Sequence, residues 1–180
     1  MSALAEVCGL TRRALYHHFS NKEEAFRFVL RFEGEVAIKR GLAAGKARLE
    51  AGADAVAVIT EIMDVRYGEN RRLLADSRYA LEINDQAFRR ARDIMIEAAL
   101  DFQRQLAKLI VEMDATGRFK LDPGVEPEAL AQLLADGARG SNQALPPVPI
   151  EQLPLRQAIL YGSAQRPTEA DAVRTPYIRH

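Results

Sequence analysis

Helical spacing of apolar residues is the feature that most restricts the fold of this chain. Along most of its 180 residues, apolar side chains recur three and four positions apart, which places them on one face of an α-helix. Alternating runs of valine, isoleucine and threonine bounded by turn residues, which would indicate strands, are nearly absent. The sequence therefore predicts an all-α fold, and 48% hydrophobic residues can fill an ordinary core.

Composition narrows the class of protein. The single cysteine excludes an internal disulfide framework, and no apolar run approaches the roughly 20 residues of a membrane span. Because no leader-like segment begins the sequence, we expect a cytoplasmic protein. Basic and acidic residues balance at 25 each, yet the first 22 residues carry three basic side chains against one acidic side chain. That weak asymmetry suits a small basic module on a mildly acidic body.

Short helices are predicted first, around Leu4 to Cys8 and from Thr11 to about His18, with a break at Gly9. Ser20 and Glu23 have the S-x-x-E spacing of a helix start, so a longer helix is expected from Ser20 to about Ala43. The glycines at 41, 45 and 52 are interpreted as a joint after it.

Four further helical regions and a tail follow. A buried helix is predicted over 53–66, and one or two short helices within 67–84. A long helix over 85–113 is ended by Gly117, and the next helix is opened by Pro127 and continues to about residue 144. After prolines 146, 147, 149 and 154, a short helix is predicted over 155–163 and an exposed tail over 164–180. The predicted domains are an N-terminal module with its connecting helix over 1–42, and a larger helical domain over 43–163.

The stretch LAEVCGLTRRALYHHFSNKEEAF, from Leu4 to Phe26, has the requirements of a helix-turn-helix. Such a motif needs a small residue at the helix crossing, a residue that tolerates positive φ in the turn, and apolar positions that hold the crossing. Ala5 and Gly9 meet the first two. The apolar set is Leu4, Cys8, Leu10 and Leu15. Two ordinary amphipathic helices joined at a glycine would fit these positions as well.

The continuation, TRRALYHHFSNKE, resembles the recognition helix of the TetR/AcrR family of transcriptional regulators and the start of its next helix. The matching positions are Gly9, Leu10, Thr11, Leu15, Tyr16, His18, Phe19, Asn21, Lys22 and Glu23. The resemblance covers roughly the first 25 residues. It implies a transcription regulator, typically a repressor, that binds a double-stranded DNA operator as a homodimer and is released by a small-molecule effector.

The resemblance also assigns DNA-binding roles to residues of this sequence. Thr11 would cap the recognition helix and offer its hydroxyl to a phosphate. Arg12, Arg13 and Ala14 would enter the major groove, where an arginine can pair with guanine and a methyl can touch thymine. The expected phosphate or sugar contacts come from Tyr16, His17, His18 and Lys22. The alternatives are solvated charges for the arginines and half-buried packing for Tyr16 or His18.

Other chemistry does not fit the sequence. Adjacent His17 and His18 point about 100° apart on a helix, and with Cys8 they do not complete a metal site. The stretch 41–47 lacks the spacing and the serine or threonine of a phosphate loop, and no nucleophile has a plausible base. We therefore expect no enzyme activity, no metal and no cofactor, with Cys8 as a small core residue.

The second part should hold the effector and the dimer interface, as the resemblance implies. Small residues Gly137, Gly140, Ser141 and Ala144 fall near one face of their helix and permit close approach of another helix, within the chain or in a partner. A mostly apolar effector is favoured by the aromatic and methionine residues of the middle helices. The candidate lining residues are Met63, Tyr67, Tyr79, Phe88, Met95 and Phe102. They would serve equally as plain core.

Two departures from the family pattern shape the remaining expectations. The prolines leave the final helix short, and the helix that precedes the Leu4 segment in family members is absent. We therefore predict a natural start upstream of Met1, and a mobile reader with weak DNA affinity in the 180-residue form, because burial of large apolar side chains is lost. The alternative function is a ligand-binding or interaction protein of this fold that has lost DNA binding.

Overall fold

The computed structural model describes residues 1–74, 77–144 and 148–162, and within these ranges the chain is helical and contains no strand. The predicted tail over 164–180 and the prolines at 146 and 147 lie outside the described residues. The helices are α1 Ser2–Val7, α2 Arg12–His18, α3 Lys22–Glu50, α4 Ala55–Met63, α5 Glu69–Leu74, α6 Ala80–Arg90, α7 Arg92–Ala115, α8 Pro127–Asn142 and α9 Leu153–Gly162. A π-helical turn, Asp64–Gly68, joins α4 to α5, and a 3₁₀ turn, Ile150–Gln152, precedes α9.

The start of α3 differs from the prediction by one cap residue. Asn21 is the N-cap, and its side-chain oxygen accepts a hydrogen bond from the Glu24 amide at 2.8 Å. The Glu24 carboxylate in turn accepts from the backbone N–H and the hydroxyl of Ser20. Ser20 with Glu23 was therefore the wrong pair, because asparagine is itself a preferred cap and the same spacing exists one residue later.

The predicted joint at the glycines is wrong for two of the three. Gly41 and Gly45 lie inside α3, which continues unbroken to Glu50. A Cβ on Gly41 would lie 2.9 Å from the Ile62 carbonyl oxygen, and a Cβ on Gly45 would collide with the Ile62 side chain. These glycines therefore permit the close crossing of α3 and α4. The division of the chain into domains at residue 42 stays a prediction.

The single helix predicted over 85–113 is also wrong, because the chain breaks at Ala91. That residue has φ −138° and ψ 34°, and it separates α6 from α7. No glycine or proline marks the break; instead, Ala91 is fully buried, and the Arg90 carbonyl accepts a hydrogen bond from Arg27 at 2.9 Å. Tertiary contacts therefore stabilise an interruption that the local sequence does not encode.

Several boundaries agree with their predictions. Gly117, at φ +70°, follows the end of α7, Pro127 is the first residue of α8, and α9 lies close to the predicted 155–163. Within the described ranges, no helix is both long enough and apolar enough to cross a membrane.

One hydrophobic core is formed by α3, α4, α7, α8 and α9, which we call the body. Its fully buried side chains are Val58, Ile62, Met63, Phe102, Leu106, Ala131, Ala135 and Ala138. The first two helices contribute none of these. The segment over 1–21, which we call the reader, is joined to the body through α3.

Candidate nucleic-acid interface

The reader forms the helix-turn-helix that the sequence predicts. Gly9 has φ +64°, a backbone conformation that glycine adopts without strain, and the Leu10 amide donates to the Ala5 carbonyl at 2.9 Å. Ala5 and Leu15 are each 3% exposed. The small residue, the turn glycine and the apolar anchor therefore all have the geometry that the crossing requires.

Thr11 caps α2, as expected. Its hydroxyl oxygen accepts a hydrogen bond from the Ala14 amide at 3.1 Å, which leaves the hydroxyl proton free to donate to another acceptor. The cap satisfies one of the free backbone N–H groups at the beginning of α2. It therefore fixes the first turn, which carries Arg12 and Arg13.

Three basic side chains of this region are exposed. Arg12 and Arg13 on the first turn of α2, and Lys22 on the first turn of α3, make no ion pair with any residue that the structure describes. Elsewhere in the described chain, many arginines pair with carboxylates, such as Arg104 with Asp101 at 3.2 Å. The reader thus presents cations that remain available to an external anion.

The other predicted DNA contacts are placed around the same helix. Tyr16 is 46% exposed, and His17 and His18 are exposed with their rings 6.1 Å apart and nearly perpendicular. Ala14 is half-buried. Each residue can be reached from solvent at the surface of α2, and their contacts with DNA stay predictions.

The apolar cover of the reader is thin. Cys8 was predicted to be a core residue, and this is wrong: it is exposed, because it follows α1 at the turn, where none of the described helices covers it. Leu4 and Leu10 are 38% and 44% exposed. Only the Ala5 and Leu15 side chains are buried among residues 1–21.

Three ion pairs join the beginning of α3 to α6 and α7. Glu23 pairs with Arg90, Arg27 with Asp93, and Arg31 with Glu97; we call these the ion-pair row. The hydrogen bond from Arg27 lowers the pKa of Asp93 below its ordinary range. The sequence analysis missed this row, although the four-residue spacing of Glu23, Arg27 and Arg31 and of Asp93 and Glu97 is a signal for it.

The structure places the six predicted ligand-lining residues in different surroundings. Met63 and Phe102 are fully buried, and the Tyr67 ring lies 6.2 Å from that of Phe102. Met95 is half-buried, whereas Tyr79 and Phe88 are 49% and 44% exposed. Met63, Phe102 and Tyr67 thus belong to the core or border it, and ligand binding stays a prediction for all six residues.

Sequence reasoning also missed a buried cation beside these residues. Arg66 is 9% exposed, and its guanidinium carbon lies 4.2 Å from the ring centre of Phe102 and 4.9 Å from that of Tyr67. Taking a charge out of water costs several kcal/mol, whereas a ring contact returns about 1–2 kcal/mol. In the sequence, Arg66 is only the last residue of a predicted helix, with nothing to indicate burial.

The comparisons with known proteins bear on the reader. Residues 1–27 match the family model described as bacterial regulatory proteins, tetR family. No curated protein and no solved structure matches the chain. The matched segment contains the capped helix α2, the turn at Gly9 and the three exposed cations. This match supports a bacterial regulatory protein of the tetR family, with its helix-turn-helix within residues 1–27.

Proposed function

We propose that the chain is a repressor that binds an operator through α2 and is released by a small, mostly apolar ligand. The observation that carries the DNA-binding part is the capped first turn of α2, where Arg12 and Arg13 are exposed without an acidic partner among the described residues. An α-helix fits the major groove of B-DNA, and an arginine there can form two hydrogen bonds with guanine. The two arginines are therefore the proposed base-reading residues.

Lys22 has a different proposed role. It lies at the beginning of α3, where free backbone N–H groups and the side-chain charge both favour a phosphate. Phosphate contacts position a protein on DNA but carry no sequence information. Thr11, Tyr16, His17 and His18 are proposed to add contacts of the same kind.

A titration of operator and unrelated DNA separates these roles. Arg12→Ala and Arg13→Ala should each weaken operator binding by about 1–3 kcal/mol and relax base preference, because a base contact is lost. Lys22→Ala should weaken both DNAs alike and reduce the salt dependence by about one phosphate. The matched control is Lys108→Ala, an exposed lysine on α7. Equal loss on both DNAs from all three reader variants would contradict the assignment.

The proposed repressor is a homodimer, since two recognition helices must lie about one helical turn apart on the duplex. Exposed apolar side chains on α8 and α9 support an interface there: Leu133 is 67%, Leu155 63% and Ile159 62% exposed. Gly137 does not contribute open space, because Leu160 of the same chain covers it, whereas Gly140 is open. Leu133→Asp and Ile159→Asp should produce monomers in sedimentation experiments, whereas Val7→Asp in the reader, at 86% exposure, should not.

The effector and the location of the protein complete the proposal. The protein is proposed to be cytoplasmic and to bind its effector in the cytoplasm. Effector binding is expected to stabilise the body and to weaken DNA binding through linkage. Thermal unfolding with candidate ligands, followed by DNA titration with those that stabilise the chain, tests this. Stabilisation by ligands together with no salt-sensitive DNA affinity would instead favour a binding protein that has lost DNA recognition.

A further inference from the structure

Arg66 is a buried cation without an anionic partner among the described residues. It belongs to the π-helical turn Asp64–Gly68, and its Nε has neither solvent contact nor a hydrogen-bond acceptor. Along the described parts of the chain, no carboxylate lies within ion-pair distance of its guanidinium. Turns of this wide type occur frequently at functional sites.

The aromatic contacts of Arg66 do not replace that partner. Phe102 and Tyr67 approach the guanidinium as rings, with their centres 4.2 and 4.9 Å from its central carbon. Such contacts stabilise the charge through the ring faces. The buried Nε–H lies in the guanidinium plane and needs an acceptor atom, which the ring faces do not supply.

Further unpartnered polar groups lie on the elements around Arg66. The Tyr67 hydroxyl and both side-chain amide atoms of Gln157 are buried without a hydrogen bond in the described chain, and Gln157 is fully buried. Gln157 lies one turn before Tyr161 on α9, which packs against α4 and the π-helical turn. Burial, and to a smaller extent Tyr67, raises the pKa of Tyr161. Native proteins rarely leave such groups unpaired.

We propose that Arg66, with Tyr67 and Gln157, binds the carboxylate of a small apolar acid. One unpaired cation matches one negative charge, and a planar carboxylate matches the fork of a guanidinium. The adjoining Phe102 and Met63 side chains, both fully buried, suit an apolar remainder. The acid deepens the proposed function in that it would be the effector.

Thermal unfolding of the full chain with benzoate and hexanoate tests the site. At 100 times the dissociation constant, either acid should raise Tm by about 5–10 °C, whereas benzamide, hexanamide and inorganic phosphate should not. Arg66→Met should weaken acid binding about 10- to 100-fold, because charged hydrogen bonds are lost. The matched control, Arg104→Met, removes an exposed arginine that pairs within α7 and should bind the acids like the wild type.

Stability without ligand provides a second test. Arg66→Met should melt no lower than the wild type when no acid is present, because it replaces an unpaired buried charge with an apolar side chain. Gln157→Leu and Arg66→Lys should bind benzoate more weakly than the wild type, and they keep the test available if Arg66→Met does not fold.

Four results would overturn the proposal: no stabilisation by either acid, equal stabilisation by the amides, stabilisation by phosphate in place of the acids, or unchanged acid affinity in Arg66→Met. Calorimetric acid binding without DNA release would uphold the site and remove only its effector role. Operator binding without any acid binding would uphold the regulator and reject the site.

Discussion

The reader and the body are stabilised in different ways. In the reader, two buried side chains, Ala5 and Leu15, and the Thr11 cap hold two short helices. In the body, long helices bury a continuous core that includes Phe102, Ile62 and Leu106 at no exposure. The reader exposes most of its side chains and consequently has little apolar burial. Apolar burial is therefore concentrated in the body, and the exposed helices of the reader are joined to it by α3.

The largest expected effect comes from the core. Phe102→Ala should destabilise the body by about 3–5 kcal/mol, because it removes a fully buried ring and leaves a cavity. Leu15→Ala should cost about 2 kcal/mol or more, but only within the reader. Urea unfolding measures the stability of the body, and hydrogen exchange resolved by segment measures the local stability of the reader.

In that experiment, Leu15→Ala should speed exchange over 2–18 and leave the urea midpoint of the body unchanged. A common midpoint that falls equally in the two variants would mean that reader and body unfold as one unit. The reader would then not be a separate unit of stability.

A smaller effect is expected at the crossing of α3 and α4. Gly45→Ala should destabilise the body by about 1–3 kcal/mol, because its Cβ would collide with Ile62. Gly34→Ala on the same helix is the control: its Cβ would lie 3.7 Å from the Ala98 Cβ, an ordinary contact, so helix propensity should stabilise it by up to about 1 kcal/mol. Equal midpoints in urea would show that the crossing has room to adjust.

The smallest effect should come from the ion-pair row. Arg27 lowers the pKa of Asp93 from its ordinary value of 3.8, so the folded form binds this proton more weakly than the unfolded form. The contribution of the pair is then present above pH 3.8 and is lost as the pH falls through the lower, folded pKa.

Urea midpoints at pH 6, 4 and 3 measure that contribution. The difference between wild type and Asp93→Asn should shrink towards pH 3, whereas Asp101→Asn, whose partner Arg104 lies on the same helix, serves as the control for charge removal. A difference that does not depend on pH would show that the row contributes nothing to holding α3 against α7.

The all-α fold and the DNA-binding motif could be predicted because their signals are local. Gly9 and Thr11 act through their own backbone and cap geometry, and Leu15 follows helical spacing. The α7 end at Gly117 and the α8 start at Pro127 are equally local.

The features that were missed depend on distant partners. The break at Ala91 involves Arg27, more than 60 positions earlier, and the glycines at 41 and 45 depend on Ile62. Arg66 is buried against Phe102 and Tyr67, and the sequence around it does not indicate burial. Exposure of Cys8 likewise follows from what does not pack on α1. Tertiary contacts of this kind leave no periodic trace in one sequence.

The unbroken helix α3 has a mechanical consequence. The segment Gly41–Gly45 of α3 packs closely against α4, and the first turn of α3 carries Lys22 beside the reader. At 1.5 Å per residue, this segment and Lys22 are about 30 Å apart along the helix. A tilt of about 5° around this segment would therefore displace the reader by roughly 2–3 Å. That distance approaches the rise of one base pair. A small rotation of α3 in the core would therefore change the alignment of the reader with a DNA groove.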